Sequence, residues 1–327
     1  MRSSRLLLSG LLLMGALAAS PVLAQTPQAA ADPEQPIRLE DVVVSARRLE
    51  DAAAAFVNEV AAPVPGRRIA RWHEGICVGV VNLDPEVGQY IADRVSDVAR
   101  ELGLRAHEPE CHPSILIVAT QDASSFTRAF VEQRPVIFRP GGAGMSRGTG
   151  ALERFISTDR AVRWWTVSQT TDPDTGASAV RMPGQFNQWR PSADGRDSVT
   201  NYAPNTPTRT TSRLSAQYRE DLKRTFVIVD VDRLQGVTLA QLADYIAMVS
   251  LAQIDPDASP GQFETILNLF DHPEFAPGLT GWDKAYLAGL YESEWYRTDT
   301  TSQVQAIAQQ ISREYRDAEG AALSDEP

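Results

Sequence analysis

The sequence predicts an α+β fold in which a mixed β-sheet is flanked by helices. Short runs rich in valine and isoleucine alternate with amphipathic helical segments between residues 76 and 133, which is the pattern of strand–helix–strand units. A further apolar strand and a helix that is apolar on nearly every side follow a long polar stretch. We therefore expect one elaborated α+β domain over residues 63–297.

The first 24 residues are predicted to be a secretory signal peptide. Arg2 and Arg5 precede the apolar run LLLSGLLLMGALAAS, and small residues allow cleavage after Ala24. The run is shorter than the roughly 20 apolar residues that a membrane span needs. We expect a periplasmic or secreted protein with no membrane span after cleavage. Residues 25–36 are rich in Pro, Ala and Gln and are predicted to be a disordered lead-in.

The charge balance argues against nucleic acid as a partner. The chain has 31 Lys and Arg residues and 42 Asp and Glu residues. Removing residues 1–24 removes two arginines and no acid, which leaves 29 basic against 42 acidic residues and a net charge of −13. Proteins that bind nucleic acid need a basic surface to neutralise phosphates, so we expect no such partner.

Residues 37–62 are predicted to form a strand followed by the helix EDAAAAFVNEV. The segment LEDVVVSARR, from Leu39 to Arg48, also resembles the short stretch with which TonB-dependent outer-membrane receptors pair as a strand with TonB. A run of valines favours extended backbone, which such strand addition requires. The resemblance implies TonB as an envelope partner, and an ordinary strand is the alternative.

The block from 76 to 133 contains two predicted strands, ICVGVVN and SILIVAT, joined by a helix that begins at Pro85. A right-handed crossover makes such strands parallel, so Cys77 and Cys111 come to the same edge of the sheet. In an oxidising compartment we expect them to form a disulfide. A zinc site with the histidines at 73, 107 and 112 is the alternative, but no metal-ligand spacing supports it. We predict no metal and no cofactor.

The stretch RAVRWWTVSQT alternates like a strand, so Trp164 and Trp165 should point to opposite faces of the sheet. One of them is expected in the core, and the other is a candidate for the floor of a binding groove.

Residues 183–213 are predicted to be a long polar insertion, either a functional lid or disordered. Its Arg190 and Arg209 are candidates for binding an anionic ligand, with solvated charge as the alternative.

The C-terminal third contains the strand FVIVDVD, a helix from Thr238 and the segment LTGWDKAYLAGLYES. This order resembles an uncharacterised family of bacterial exported proteins with a zincin-like core, related to the metzincins. In that family a helix reading His-Glu-x-x-His-x-x-Gly-Leu holds zinc. A later helix begins Leu-Thr, contains an aspartate and ends Leu-Tyr, as Leu279-Thr280, Asp283 and Leu290-Tyr291 do here.

The zinc ligands of that family are missing from this chain. When Ser250-Leu251 is aligned with the family's Gly-Leu, the histidine positions fall on Ala243 and Ala247 and the glutamate position on Asp244. Alanine cannot coordinate zinc, so the resemblance implies a degenerate zincin-like architecture. Asp244 interrupts an apolar helix, and it must either meet a donor such as an arginine or face a cleft.

The sequence predicts no catalytic residue, because it contains neither a Gly-x-Ser-x-Gly elbow nor a phosphate-binding loop. We expect a non-catalytic periplasmic protein that binds an unknown ligand or envelope protein. One alternative is an exported hydrolase with a non-standard site, for which His272 with Asp271 and Asp283 is a candidate. The other is a TonB-associated accessory protein.

Residues 298–327 are expected to be a polar, loosely packed helix and a tail. The candidate binding residues are Asp244, Trp164, Trp165, Arg190 and Arg209.

Overall fold

The computed structural model describes residues 39–139, 146–179, 216, 218–274, 277–294, 296–297 and 299–324. The chain divides into two units, Met1–Val42 and Val43–Pro327, and the fold below is that of the second. The predicted signal peptide, the lead-in and the insertion at 183–213 lie outside the described residues. Within these residues no helix is long and apolar enough to cross a membrane.

A five-stranded mixed sheet forms the centre of the fold, with the strand order β1-β2-β5-β3-β4. The strands are β1 (Val78–Val81), β2 (Ile115–Thr120), β3 (Val162–Thr171), β4 (Ser178–Ala179) and β5 (Arg219–Asp230). β1, β2 and β5 run parallel, whereas β3 is antiparallel to both β5 and β4. The predicted α+β class with a mixed sheet is therefore confirmed.

Helices cover both faces of this sheet. They are α1 (Leu39–Val60), α2 (Pro85–Glu101), α3 (Ala123–Gln133), α4 (Pro135–Phe138), α5 (Thr149–Ser157), α6 (Leu239–Leu251), α7 (Gly281–Glu292) and α8 (Thr300–Ser324). The larger hydrophobic core lies against α1, α2 and α6–α8 and contains Trp164, whereas the smaller one lies against α3–α5 and contains Trp165. The two tryptophans thus point to opposite faces, as the alternation predicts.

The first strand–helix–strand unit has the predicted parallel topology, with β1 and β2 in register from Val78 opposite Ile115. The carbonyl of Cys77 accepts hydrogen bonds from the N–H groups of Ser114 and Ile115. This pairing brings the residues just before the two strands together. The predicted Cys77–Cys111 disulfide is formed, with a Cα–Cα distance of 6.1 Å.

The strand expected at the start of residues 37–62 is instead the first half of helix α1, which is continuous from Leu39 to Val60. The run Ala52–Ala55 has the highest intrinsic helix propensity, and Phe56, Val57 and Val60 form a buried stripe at helical spacing. Extending a helix that is already nucleated costs little, so the valine run joins it. Strand addition by residues 39–48 would require this part of the helix to unwind.

Strand β5 begins at Arg219, seven residues before the apolar run that predicts it. Arg219, Glu220 and Asp221 are buried, and a charged triplet in a strand gives no hydrophobic signal. Each finds a partner inside the fold, because Arg219 donates to Asp221 at 2.8 Å and Glu220 accepts from Thr170 at 3.1 Å. Burial still raises the pKa of Glu220, although nearby Arg67 opposes that shift.

Helix α8 packs tightly, which corrects the expectation of a loose C-terminal helix. Val304, Ile307 and Ile311 are buried at helical spacing, and the close approach of α8 to α7 leaves no room for a side chain at Gly289. The side chain of Gln303 holds both backbone groups of Ile69, accepting from its N–H at 2.7 Å and donating to its carbonyl at 2.9 Å. A stripe of three large apolar residues in a polar helix is therefore enough to fix it.

Replacing both disulfide cysteines by serine is expected to lower the free energy of unfolding by about 3–4 kcal/mol, because the bond closes a loop of 34 residues in the unfolded chain. Urea unfolding followed by circular dichroism measures the change. Wild-type protein reduced with dithiothreitol is the matched control and should unfold at the same urea concentration as the double variant. Equal midpoints for oxidised and reduced wild-type protein would contradict the prediction.

Candidate functional site

A cleft of about 500 Å³ opens at the carboxyl end of β5. We call it the Tyr245 cleft. It is lined by residues 159–162 and Trp164 of β3, Arg233 after β5, Tyr245 of α6, residues 254–260, and Leu267, Phe270 and Asp271. The crevice beyond the carboxyl ends of parallel strands is where open α/β sheets bind ligands. A concave surface of this size is also typical of small-molecule sites.

Three aromatic rings form the floor of the Tyr245 cleft. The ring centroids of Trp164 and Tyr245 are 5.9 Å apart, and those of Tyr245 and Phe270 are 5.0 Å apart, with edge-to-face geometry in both pairs. The indole N–H of Trp164 donates to the carbonyl of Ile254 at 2.9 Å. This bond leaves the indole no free polar group, so Trp164 contributes an apolar surface.

The hydroxyl of Tyr245 has no hydrogen-bond partner in the part of the chain that the structure describes, although its side chain is only 5 % exposed. The ring is enclosed by its neighbours while the hydroxyl itself stays accessible from the cleft, so solvent or a ligand can hydrogen-bond it. Burial strongly raises the pKa of this phenol, with Asp271 acting in the same direction and Arg160 against it. The hydroxyl therefore stays protonated and can donate or accept a hydrogen bond within the cleft.

Ion pairs hold the rim of the cleft in place. Asp257 accepts from Arg154 of α5 and from Arg160 at 2.6 Å each, and Arg233 donates to Asp159 at 2.6 Å. Burial of Asp257 acts to raise its pKa, but the two arginines outweigh it and the pKa is lowered. The same loop is fixed at Asp255, which accepts from Arg147 at 2.8 Å.

Asp271 differs from the other carboxylates of the rim. It is exposed, and no cationic side chain among the described residues pairs with it. It lies close enough to Tyr245 to affect the pKa of that phenol. The cleft thus combines an aromatic floor, one unpartnered phenol hydroxyl and one unpaired carboxylate.

Asp244, the first candidate binding residue, is engaged within the protein and does not line the Tyr245 cleft. One carboxylate oxygen accepts from Nε of Arg94 on α2 at 2.5 Å, and the other accepts from the N–H of Leu279 at 2.8 Å. The hydrogen bond to Asp244 raises the pKa of Arg94. Of the two alternatives that the sequence leaves open for Asp244, a donor such as an arginine or a cleft, the arginine donor is the one present. The next residue on the helix, Tyr245, is the one that faces the cleft.

The other candidate residues have different outcomes. Trp164 lines the cleft, whereas Trp165 packs on the opposite face against Phe155 at 5.8 Å and donates to the carbonyl of Phe138 at 2.8 Å. Trp165 lines only a cavity of about 20 Å³ beside the cleft. Arg190 and Arg209 lie outside the described residues.

Helix α6, which the sequence analysis compares with the zinc-binding helix of zincins, is a core element. Ala243 and Ala247 are completely buried, and Asp283, the aspartate of the later helix, accepts from Thr265 and from the N–H of Ile266 at 2.5 and 2.8 Å. Its carboxylate is thus used to join structural elements and is not available to His272. Over the ranges that the structure covers, no group of three or more His, Cys, Asp or Glu residues could hold a metal ion.

No known protein family, no curated protein and no solved structure matches the chain. The class of function must therefore follow from the chemistry of the Tyr245 cleft itself. The sequence did not single out Tyr245, because a tyrosine in a buried helix is usually a core residue. The only feature of the sequence that pointed to Tyr245 as a site residue was its position next to Asp244.

Substituting Gly278 tests the position of Asp244. A Cβ at residue 278 would lie 2.5 Å from Oδ2 of Asp244, which Arg94 and Leu279 hold in place. We expect G278A to lower the free energy of unfolding by about 1–3 kcal/mol in urea titrations, and to cost much less in a D244A background. G281A is the matched control, because its Cβ meets nothing within 4 Å. A cost of G278A that is the same in both backgrounds would refute the steric explanation.

Alkaline pH tests the burial of Tyr245. Above pH ~10 the unfolded phenol releases its proton while the folded one keeps it, so each such tyrosine lowers stability by up to about 1.4 kcal/mol per pH unit. Stability should therefore fall between pH 10 and 11, and it should fall less steeply in Y245F. The measurement is urea unfolding at both pH values. Y90F, which removes the hydroxyl of a ring that is 44 % exposed, should match the wild-type slope. Equal slopes for Y245F and wild type would contradict the assignment.

Proposed function

We propose that this chain is a non-catalytic periplasmic binding protein and that its ligand occupies the Tyr245 cleft. The observation that carries the proposal is the hydroxyl of Tyr245, which has no hydrogen-bond partner among the described residues, belongs to a ring that is otherwise enclosed and lines the cleft. A ligand in the cleft can hydrogen-bond this hydroxyl in place of water.

The ligand class is an organic cation, in which an ammonium or guanidinium group is attached to an apolar moiety. Aromatic faces attract cations, and Asp271 supplies a negative charge next to Tyr245. An anionic group would find little attraction, because the nearby cations of Arg160 and Arg233 already bind Asp257 and Asp159. The ammonium of such a ligand can donate to both the phenol oxygen and the free carboxylate.

Binding without turnover is supported by the chemistry of the lining residues. None of the residues lining the cleft is histidine or cysteine, and the raised pKa of Tyr245 makes it a weak acid at neutral pH. Ala243 and Ala247 occupy the positions that the zincin resemblance gives to the zinc-binding histidines, and alanine cannot coordinate zinc, which supports binding without zinc hydrolysis. The Cys77–Cys111 disulfide supports an oxidising compartment such as the periplasm.

Phenethylamine, with 2-phenylethanol as its neutral isostere, provides the test. We expect the amine to bind and to quench tryptophan fluorescence through contact with Trp164, and the alcohol to bind at least tenfold more weakly. D271N should weaken amine binding about tenfold, which corresponds to ~1.4 kcal/mol, and should leave alcohol binding unchanged. Y245F should weaken amine binding about threefold.

D317N is the matched control variant. It makes the same change of charge at an exposed position of α8 that does not line the cleft, and it should bind the amine as the wild type does. Equal affinities for the amine and the alcohol would overturn the proposed ligand class. Amine binding that Y245F and D271N leave unchanged would overturn the proposed site.

A further inference from the structure

Strand β1 forms one edge of the sheet, and its outer side is open. Because the carbonyl of Cys77 bonds to β2 and strand residues alternate, Cys77, Gly79 and Val81 direct their backbone groups towards β2. Val78 and Val80 therefore direct their N–H and C=O groups outwards. Across the described residues, none of these four groups has a hydrogen-bond partner.

The chain itself begins to fill the position beside this edge and then leaves it. Ile76, just before β1, donates to the carbonyl of Arg105 at 2.8 Å and accepts from the N–H of His107 at 2.9 Å. Pro109 follows two residues later, and proline cannot donate to a strand ladder. The segment 105–107 thus occupies the position of a neighbouring strand, but its pairing ends before Val78. The direction in which this pairing would continue is called its track below.

A groove of about 380 Å³ continues along that track, and we call it the β1 groove. It is lined by Val78 and Val80, by α2 from Pro85 to Arg100 and by the turn 107–110. Small residues of α2, Gly88 and Ala92, face it. A Cβ added at Gly88 would already be in van der Waals contact with Val80 at 3.5 Å. The groove can therefore receive the side chains of an extended segment beside β1.

The charge around the β1 groove is strongly negative. Asp84, Asp93, Glu108 and Glu110 are exposed along it, whereas the one arginine in its lining, Arg100, is bound to Asp97 at 2.6 Å. Such carboxylates attract a basic partner and repel both an acidic one and a second copy of this acidic chain.

Strand β1 is a short edge strand of four residues, and it lacks three other features that protect exposed edges. Natural edge strands carry lysine, proline or a bulge that prevents pairing with another chain. The sequence VGVV has no lysine and no proline, it pairs with β2 without a register shift, and Val81 is 45 % exposed. An edge without lysine, proline or a bulge, beside a groove, is an arrangement that can accept a short added strand.

We propose that the β1 groove binds an extended, basic segment of a partner protein, which adds to the sheet as a strand next to β1. The unpaired groups of Val78 and Val80 supply the backbone hydrogen bonds, and the carboxylates of the groove select lysine or arginine side chains. This surface is separate from the Tyr245 cleft and does not depend on the function proposed there.

A labelled peptide, Lys-Val-Lys-Val-Lys-Val, is the probe, and fluorescence anisotropy with the full chain is the measurement. We expect the peptide to bind and Glu-Val-Glu-Val-Glu-Val not to bind. Lys-Val-Lys-Pro-Lys-Val keeps the charge but cannot complete the ladder, so it should bind at least tenfold more weakly. Hydrogen exchange at the amides of Val78 and Val80 should slow at least tenfold when the first peptide is bound.

Two variants test the site itself. V80P removes an outward N–H that has no partner, and it should weaken peptide binding at least tenfold. E108K/E110K reverses two charges of the groove and should do the same, so the test holds even if V80P does not fold. E132K/E153K makes the same net charge change at exposed positions of α3 and α5, on the other face of the sheet, and should bind the peptide as the wild type does.

Three results would overturn the proposal. Equal affinities for Lys-Val-Lys-Val-Lys-Val and Lys-Val-Lys-Pro-Lys-Val would mean that charge attracts the peptide without strand addition. Unchanged binding by E108K/E110K would place the peptide elsewhere. A dimer in sedimentation equilibrium that V80P converts to a monomer would show that a second copy of this chain covers β1. Amine binding to the Tyr245 cleft is unaffected by these variants, so the two proposals fail separately.

Discussion

The carboxylate of Asp244 is the contact on which the arrangement of the helices depends. It joins α6 to Arg94 of α2 through one oxygen and to the N–H of Leu279, just before α7, through the other. Charge-assisted hydrogen bonds of this kind fix direction as well as distance. Because neighbouring residues of a helix point roughly 100° apart, fixing Asp244 also fixes Tyr245. The orientation of α6 about its own axis therefore determines two things at once: that Asp244 reaches its partners on α2 and before α7, and that Tyr245 faces the cleft.

The features that could be predicted from the sequence are those with a local signal. The parallel pairing of β1 and β2 follows from strand, helix and strand at short spacing, and it places Cys77 beside Cys111. Helix α6 begins after Thr238, as the sequence predicts, and a capping box there fixes its start. In each case a few neighbouring residues contain all the information, because capping and alternation act over a single turn or strand.

The features that could not be predicted depend on partners that are distant in the chain. Strand β5 can include the buried Glu220 because Thr170 donates to its carboxylate and Arg67 pairs with it, both from 50 or more residues away. The role of Tyr245 in the cleft likewise depends on Asp271 and Phe270, which lie beside it but belong to a separate loop. Hydrophobic periodicity reports how much of a side chain is buried, but not which polar group it will meet.

The side chain of Gln303 has a consequence for the order in which the chain can fold. Its amide occupies both backbone groups of Ile69, as a neighbouring strand would, and Gln253 of the segment after α6 holds the N–H of Ala70 in the same way. These contacts span 234 and 183 residues of sequence. A chain that leaves the ribosome amino terminus first therefore lacks the partner of Ala70 until Gln253 has been made, and the partner of Ile69 until α8 has been made. Early synthesis yields an open intermediate, and closure of the larger core waits for the last helix.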